Sequence, residues 1–291
     1  LTFVSFLLYS LPVGMHHLFM DPEHSTGFKF IQMSLTALVS APTLLTVFTI
    51  SASMELAGRL RGGKGLLGWI KALPWDRPMM LATGLAFFML WFGGGGGLIN
   101  MSYGMNAMVH NTAWVTAHFH LIFGGTVVIM YFAIAYEIWP SLTRRALVDA
   151  RWQRLQLWLW AIGMMVMTFP WHFLGLQGQW RRVATFDYSD PRIAWWGPWV
   201  VVSLVGGVML LASALLFVAN LLPRKTAAEA PEGYAYALAV HQPKRVPAVL
   251  NGFWVWNILV AVLMAVAYGY PIAQFFIGDA PEAILHRLSG G

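Results

Sequence analysis

Two histidines one residue apart, His118 and His120, open a long apolar run in Asn111-Thr-Ala-Trp-Val-Thr-Ala-His118-Phe119-His120-Leu-Ile-Phe. On an α-helix, residues two apart are separated by about 200°, so the two imidazoles leave opposite sides and can serve different centres. A histidine inside a membrane segment is expensive and needs a reason. Imidazole is a ligand for copper, iron and zinc, and the usual axial ligand of haem. A second pair, His16 and His17, lies in Pro12-Val-Gly-Met-His-His-Leu-Phe-Met-Asp21-Pro22. Adjacent helical residues diverge by about 100°, so one metal can take both only where a helix ends and the backbone bends. Asp21-Pro22 supplies such an ending. The other reading of the pair is an interfacial polar cap.

Further candidates surround these pairs. His110 and Asn111 precede the His118 helix, and Arg181 and Arg182 close the stretch Gly175-Leu-Gln-Gly-Gln-Trp-Arg-Arg. A guanidinium fork matches a carboxylate, so the arginines suggest an anionic partner; ordinary loop charge is the alternative. His172 has equal claims as a functional and as a hydrogen-bonding structural residue. The five glycines Gly93 to Gly97 either let a backbone approach a cofactor or, the favoured reading, end a helix. Met79, Met80, Met164, Met165 and Met167 read as packing filler. Glu55 and Glu137 fall at inner helix ends, which disfavours a carboxylate-bridged metal site.

The elements that position these residues are membrane helices. Of 291 residues 58% are hydrophobic and 10% charged, against about 25% charged in a soluble domain. Seven apolar stretches are long enough to span: 1–20, 29–56, 79–98, 113–139, 154–175, 195–222 and 251–277. Open strands cannot cross lipid, so the expected fold is an all-α polytopic membrane protein, with residues 1–291 as a single transmembrane domain. Of the 18 basic residues, 13 fall in or beside 57–78, 140–153 and 223–250. Those connections are therefore expected inside and the C-terminus outside, and 223–250 reads as a proline-rich cytoplasmic linker. This orientation places His16, His17, His110, His118 and His120 towards the outer side. The net charge of +6 fits a basic face beside anionic lipid and calls for no nucleic acid. Trp69, Trp75, Trp195, Trp196 and Trp199 read as interfacial anchors. The hydroxyls of the second stretch, Ser34, Thr36, Ser40, Thr43, Thr46, Thr49, Ser51 and Ser53, either join helices or hold a file of water. No cysteine is present, which excludes disulfides and thiolate ligands. Starting at Leu1 inside an apolar run, the chain reads as the C-terminal part of a longer protein.

Taken together, Val-Gly-Met-His16-His17, Val109-His110-Asn111-Thr112-Ala-Trp-Val-x-x-His118-Phe119-His120 and Gly-Leu-x-Gly-x-x-Arg181-Arg182 resemble subunit I of the haem-copper oxidases, in its C-terminal half. The loop from Glu55 to Trp69 is similar to the B-type branch, as is the lack of a mid-membrane lysine in the second stretch. The resemblance implies a bundle of 12–13 helices, of which this chain holds seven, in the cell (inner) membrane. It implies a terminal oxidase that reduces O2 to water with electrons from cytochrome c, coupled to proton translocation. By it, His16 and His17 match copper ligands. His118 matches the axial ligand of the high-spin haem, and His120 an axial ligand of the low-spin haem. Phe119 lies on the path between the haems, and His110, Asn111, Arg181 and Arg182 match residues at the haem propionates. Thr36 falls where the family has a hydroxyl in a proton-input path.

The third copper ligand, its cross-linked tyrosine and the second low-spin ligand belong to earlier helices of the family, so this chain alone is not expected to be active. The electron-entry copper site belongs to a subunit II. Three departures stand out: Asn106 where a close B-type relative has an acid, Trp180 where a proline usually precedes the arginines, and Thr116-Ala117 in place of Pro-Gly. A nitric oxide reductase of the same superfamily would need additional acids near His16 and His17. A proton-coupled transporter without haem would leave the back-to-back pair unexplained.

Overall fold

The computed structural model describes residues 2–13, 16, 17, 20, 21, 24–183, 185, 187–222 and 245–277. In chain order the helices are Thr2–Ser10 (α1, continued by a 3-10 turn at Leu11–Val13), Thr26–Leu60 (α2), Gly68–Lys71 (α3) and Pro78–Met101 (α4). Tyr103–Val109 (α5) and Ala113–Phe119 (α6) follow, then a π-helical segment His120–Val127 that runs into Val128–Thr143 (α7). Ala150–Leu176 (α8), Arg192–Leu221 (α9), Ala248–Asn251 (α10) and Phe253–Ile277 (α11) complete the set. No β-strand forms among the described residues; an isolated antiparallel bridge joins Thr112 to Trp180.

Among the described residues, five helical stretches are long and apolar enough to cross a membrane: Thr26–Leu60, Pro78–Met101, Ala113–Thr143, Ala150–Leu176 and Arg192–Leu221. They fall on the second to sixth stretches expected from the sequence. Lipid offers the backbone no partners, so each of these segments satisfies its amides within its own helix. Near the N-terminus the helical run is shorter than the stretch 1–20, because α1 gives way to the 3-10 turn and the amide of His16 donates back to the Val13 carbonyl at 3.0 Å. Of the expected linker, 223–244 lies outside the described residues, and α10 occupies part of the remainder. The expected outer C-terminal segment, 278–291, also lies outside them.

The chain falls into two compact units. In one, built from 1–46 and 237–291, the 3-10 turn packs on α11 and the Phe3 ring meets Trp256 edge-on at 6.1 Å. Most of the α2 hydroxyls turn back onto their own helix. Thr36, Thr43 and Thr46 donate to the carbonyls of Gln32, Val39 and Pro42 at 2.5, 3.0 and 2.9 Å.

The other unit, 47–236, is a bundle of α4, α6 with its π-helical continuation and α7, α8 and α9. Leu81, Ala82, Leu85, Ala86 and Met89 recur at helical spacing and form the buried stripe of α4. They pack with Leu121, Ile129, Ala133, Leu157, Ala161 and Met164, so the methionine at 164 is core filler as expected. Helices α8 and α9 cross closely at Gly163 and Gly206; a Cβ on Gly206 would run into the Met167 backbone. Such small-residue contacts let membrane helices pack without a hydrophobic driving force. A buried polar network joins three helices towards the other end of the bundle from His118. The Tyr136 hydroxyl donates to Gln156 at 3.1 Å, Gln156 donates to Ser213 at 3.0 Å, and Asn220 donates to the Tyr136 oxygen at 3.0 Å.

Candidate functional site

His118 is seated against a glycine face. Helix α6 starts at Thr112, whose hydroxyl accepts the Trp114 amide at 3.3 Å, and this cap aims the helix along α4. The His118 Nδ1 lies 2.7 Å from the Gly93 carbonyl of α4. A carbonyl oxygen only accepts, so Nδ1 carries the proton and the ring's lone pair sits on Nε2. Around this bond α4 presents no side chain. A Cβ on Gly97 would lie 2.8 Å from the imidazole Cε1, and one on Gly96 would lie 3.3 Å from the His118 Cβ. The glycine run therefore does not end a helix, contrary to expectation: α4 continues through it to Met101, and its glycines form the surface on which His118 rests. The Trp114 indole reinforces the contact by donating to the Gly96 carbonyl at 3.4 Å.

His120 faces elsewhere. Its Nδ1 lies 2.8 Å from the Thr116 carbonyl of its own helix, and its ring meets Trp171 of α8 edge-on at 5.1 Å. The same tautomer argument puts its lone pair on Nε2. The two imidazoles thus leave α6 towards different neighbours, as their spacing requires, and the Phe119 ring lies 4.6 Å from His120. The helix changes to π geometry at His120, an irregularity that recurs at functional sites. The Gly124 carbonyl in this segment accepts the Trp160 indole at 2.8 Å, which ties the irregular turn to α8. His172 stays within α8, bonded to the Thr168 carbonyl at 3.1 Å and edge-on to Trp114, an arrangement that fits the structural reading.

The arginine pair is brought to the start of α6 by backbone pairing. After α8 the chain turns at Gly178 (φ 82°) and runs antiparallel to residues 111–113. The Ala113 amide donates to Gln179 at 2.9 Å and the Arg181 amide donates to Asn111 at 3.0 Å. Asn111 and Arg182 both adopt left-handed backbone, φ 55° and 57°, so strain collects where the two segments meet. His110 follows α5, its amide donating to Asn106 at 2.7 Å. Asn106 and Asn100 are buried; Asn106 donates to the Asn100 carbonyl, while its Oδ1 and both amide atoms of Asn100 have no partner among the described residues. Trp196, expected at the lipid interface, is buried instead, packed with Ala113 and Leu174.

His16 and His17 lie in the first unit, in the turn that follows Val13. Their rings are 3.9 Å apart and tilted by 44°, and the His16 Nδ1 lies 2.7 Å from the Val13 carbonyl. The backbone does bend at this pair, the condition for one metal to reach both. Among the described residues no three His, Cys, Asp or Glu side chains converge on a metal position.

The family model described as "Cytochrome C and Quinol oxidase polypeptide I" matches residues 1–209. The chain belongs to this family. Cytochrome c oxidase subunit 1 of Thermus thermophilus is 39% identical over 288 residues, covering 95% of this chain and 50% of that protein. The subunit 1 of a Synechocystis species is 32% identical over 219 residues, 75% of this chain and 35% of its own length. Among solved structures, a heme-copper terminal oxidase dimer determined by cryo-EM aligns with a TM-score of 0.76 at 29% identity, over 92% of this chain and 48% of that one. This member of the oxidase polypeptide I family spans about half the length of the curated relatives it matches. It is a helical, multi-pass membrane protein, and haem and copper are the cofactors its family implies.

The residues present fit those groups. In His16, His118 and His120 one ring nitrogen is anchored on a backbone carbonyl, the arrangement that orients ligating histidines. The buried amide atoms of Asn100 and Asn106 that have no partner among the described residues offer polar groups to a charged cofactor edge. What the sequence alone did not disclose is the seat itself. The glycine run was its only signal, and a glycine run reads equally as a helix end.

Proposed function

We propose that this chain is part of subunit I of a B-type terminal respiratory oxidase, which reduces O2 to water with electrons from cytochrome c and couples the reaction to proton translocation. One observation carries the reading: two imidazoles two residues apart, each held through Nδ1 by a backbone carbonyl, are directed to different neighbours. A transporter histidine cluster has no use for such a division. Bound haem and copper supply the one-electron carriers that O2 reduction needs.

The residues then divide the work. His118 holds the high-spin haem iron through Nε2, and its rigid seat on α4 fixes the ligand direction. His120 holds the low-spin haem iron in the same way, with Phe119 as the short covalent link between the two ligands. His110, Asn111, Arg181 and Arg182 bind propionates, the guanidinium forks neutralising carboxylates that would otherwise be costly at the membrane boundary. His16 and His17 hold copper. Thr36 belongs to the proton-input path, where its hydroxyl, now donating to Gln32, passes a proton by rotating. With no cysteine in the chain, the electron-entry copper site lies on a subunit II. The seventh apolar stretch also spans, as the 25-residue helix α11, in the inner membrane, and the C-terminus lies on the periplasmic side.

The test is spectroscopic and analytical. The full-length protein is expected to show two haem signals, with His120→Ala removing the low-spin one selectively; a six-coordinate haem surviving in that variant would refute the division of roles. Metal analysis is expected to find one copper per protein besides the haem iron. Non-haem iron in its place would mean a nitric oxide reductase.

A further inference from the structure

Next to the arginine pair in sequence, Trp180 belongs to a charged aromatic box. The Arg192 guanidinium sits 4.7 Å over the Trp180 ring and 5.7 Å from the Trp196 ring, and the two indoles meet edge-on at 5.6 Å. Asp190 grips the same guanidinium from the side, Nε at 3.0 Å and Nη2 at 2.6 Å, and also accepts the Arg192 amide at 2.9 Å. Trp196 is buried, so its end of the box is fixed in the core with Ala113 and Leu174. Trp180 is the residue that pairs with Thr112 and immediately precedes Arg181.

This arrangement has a mechanical meaning. The segment carrying the arginines is attached to residues 111–113 by a minimal bridge, and such short pairings are weak by themselves. It also contains Arg182 in left-handed backbone, which a loose loop would relax. The large side chain available to hold the segment is the Trp180 indole. It is held by a buried tryptophan that meets it edge-on and by a cation over its ring that a carboxylate keeps in place, and a guanidinium over an indole face is a favourable pairing.

We propose that Arg192, with Asp190 and Trp196, is a positioning residue for Arg181 and Arg182: by clamping Trp180 it holds the guanidinium pair at the haem propionates. The proposal rests on the reading of that pair as the propionate-binding arginines. Arg192 acts through the Trp180 indole and the backbone of residues 180–182.

Charge alone makes a competing prediction, which allows a clean test. Cations at the propionates oppose the extra positive charge of oxidised haem and so raise its midpoint potential. A loosened arginine pair therefore lowers the potential. Asp190→Asn removes a negative charge, and through-space electrostatics by itself would raise the potential; loss of positioning lowers it. Arg192→Lys keeps the charge but loses the planar stack and the fork, so electrostatics predicts no change and positioning predicts a fall.

The experiment is a spectroelectrochemical titration of both haems in the haem-loaded, full-length protein. The variants are Asp190→Asn, Arg192→Lys and Trp180→Leu, with Arg181→Gln/Arg182→Gln as reference. The expected result is a downward shift in all of them, smaller than that of the reference double variant. If the reference shifts and Asp190→Asn rises or Arg192→Lys stays unchanged, the clamp is refuted while the propionate reading stands. If the reference leaves both potentials unchanged, the propionate reading itself has failed, and the clamp with it. Because three separate substitutions probe one box, failure of any one to assemble leaves the other two to decide.

Discussion

Adding a single methyl group at Gly97 probes the seat of His118 directly. A Cβ there would stand 2.8 Å from Cε1, 3.4 Å from Nδ1 and 3.6 Å from Nε2 of the imidazole. Carbon atoms pack best at about 3.5–4.0 Å, so the ring or the α4 backbone must give by roughly 0.7 Å. The ring cannot simply swing away, because Nδ1 is bonded to the Gly93 carbonyl and the His118 backbone also abuts Gly96. Overpacking of this kind costs about 1–3 kcal/mol, and replacing a helical glycine by alanine returns about 1 kcal/mol. The net loss of stability in Gly97→Ala is therefore small, roughly 0–2 kcal/mol. The displacement nevertheless exceeds the roughly 0.5 Å within which a ligand must be held. Gly94→Ala and Gly95→Ala are the controls, since a Cβ at either position meets nothing within 4 Å. The expected outcome is a changed iron–histidine vibration of the high-spin haem in Gly97→Ala, read by resonance Raman, with both controls unchanged in spectrum and no less stable to heat. An unaltered vibration in Gly97→Ala together with a perturbed one in Gly94→Ala would show that the glycine face has been placed on the wrong side of the helix.

Two further expectations follow from the bundle and its outer loop. Gln156→Leu breaks the buried network at its centre and is expected to cost about 1–3 kcal/mol, because the Tyr136 O–H loses its acceptor while Ser213 keeps its bond to the Gln156 backbone carbonyl. Thermal unfolding in detergent should register this as a lower midpoint, and the Gln156→Leu/Tyr136→Phe double variant should lose less than the sum of the singles, because they share one bond. Hydrogen bonds from Arg192 hold the Asp190 carboxyl below its ordinary range. A carboxylate lowered in the folded state adds stability that is complete above its unfolded pKa of about 4 and is lost as the pH falls through the lowered value. Tryptophan fluorescence of the Trp180 box should accordingly hold steady from neutral pH down to that range and change only below it. A transition near neutrality would mean that another group controls the box.

The amino-acid sequence by itself determined the class of this protein. With lipid as solvent, long apolar runs have to become helices, and among the described residues the second to sixth expected stretches are helices long and apolar enough to span. Helical spacing likewise settled that His118 and His120 diverge, since residues two apart on a helix lie on opposite sides. A bend near His16 and His17 was expected at Asp21-Pro22, whereas the helix ends earlier, at the 3-10 turn Leu11–Val13. Three decisions lay with the tertiary structure. The glycines at 93–97 looked like a terminus, but a helix in lipid gains nothing by exposing its backbone, so α4 continues and the missing side chains become room for His118. Trp196 had the position of a lipid anchor, yet the return of the chain after α8 covers it, and whether a residue of a helix meets lipid or a neighbour is a property of packing. The segments carrying Asn111 and the arginine pair, about 70 residues apart, meet through two backbone hydrogen bonds, Arg181 to Asn111 and Ala113 to Gln179, that carry no mark in side-chain identity.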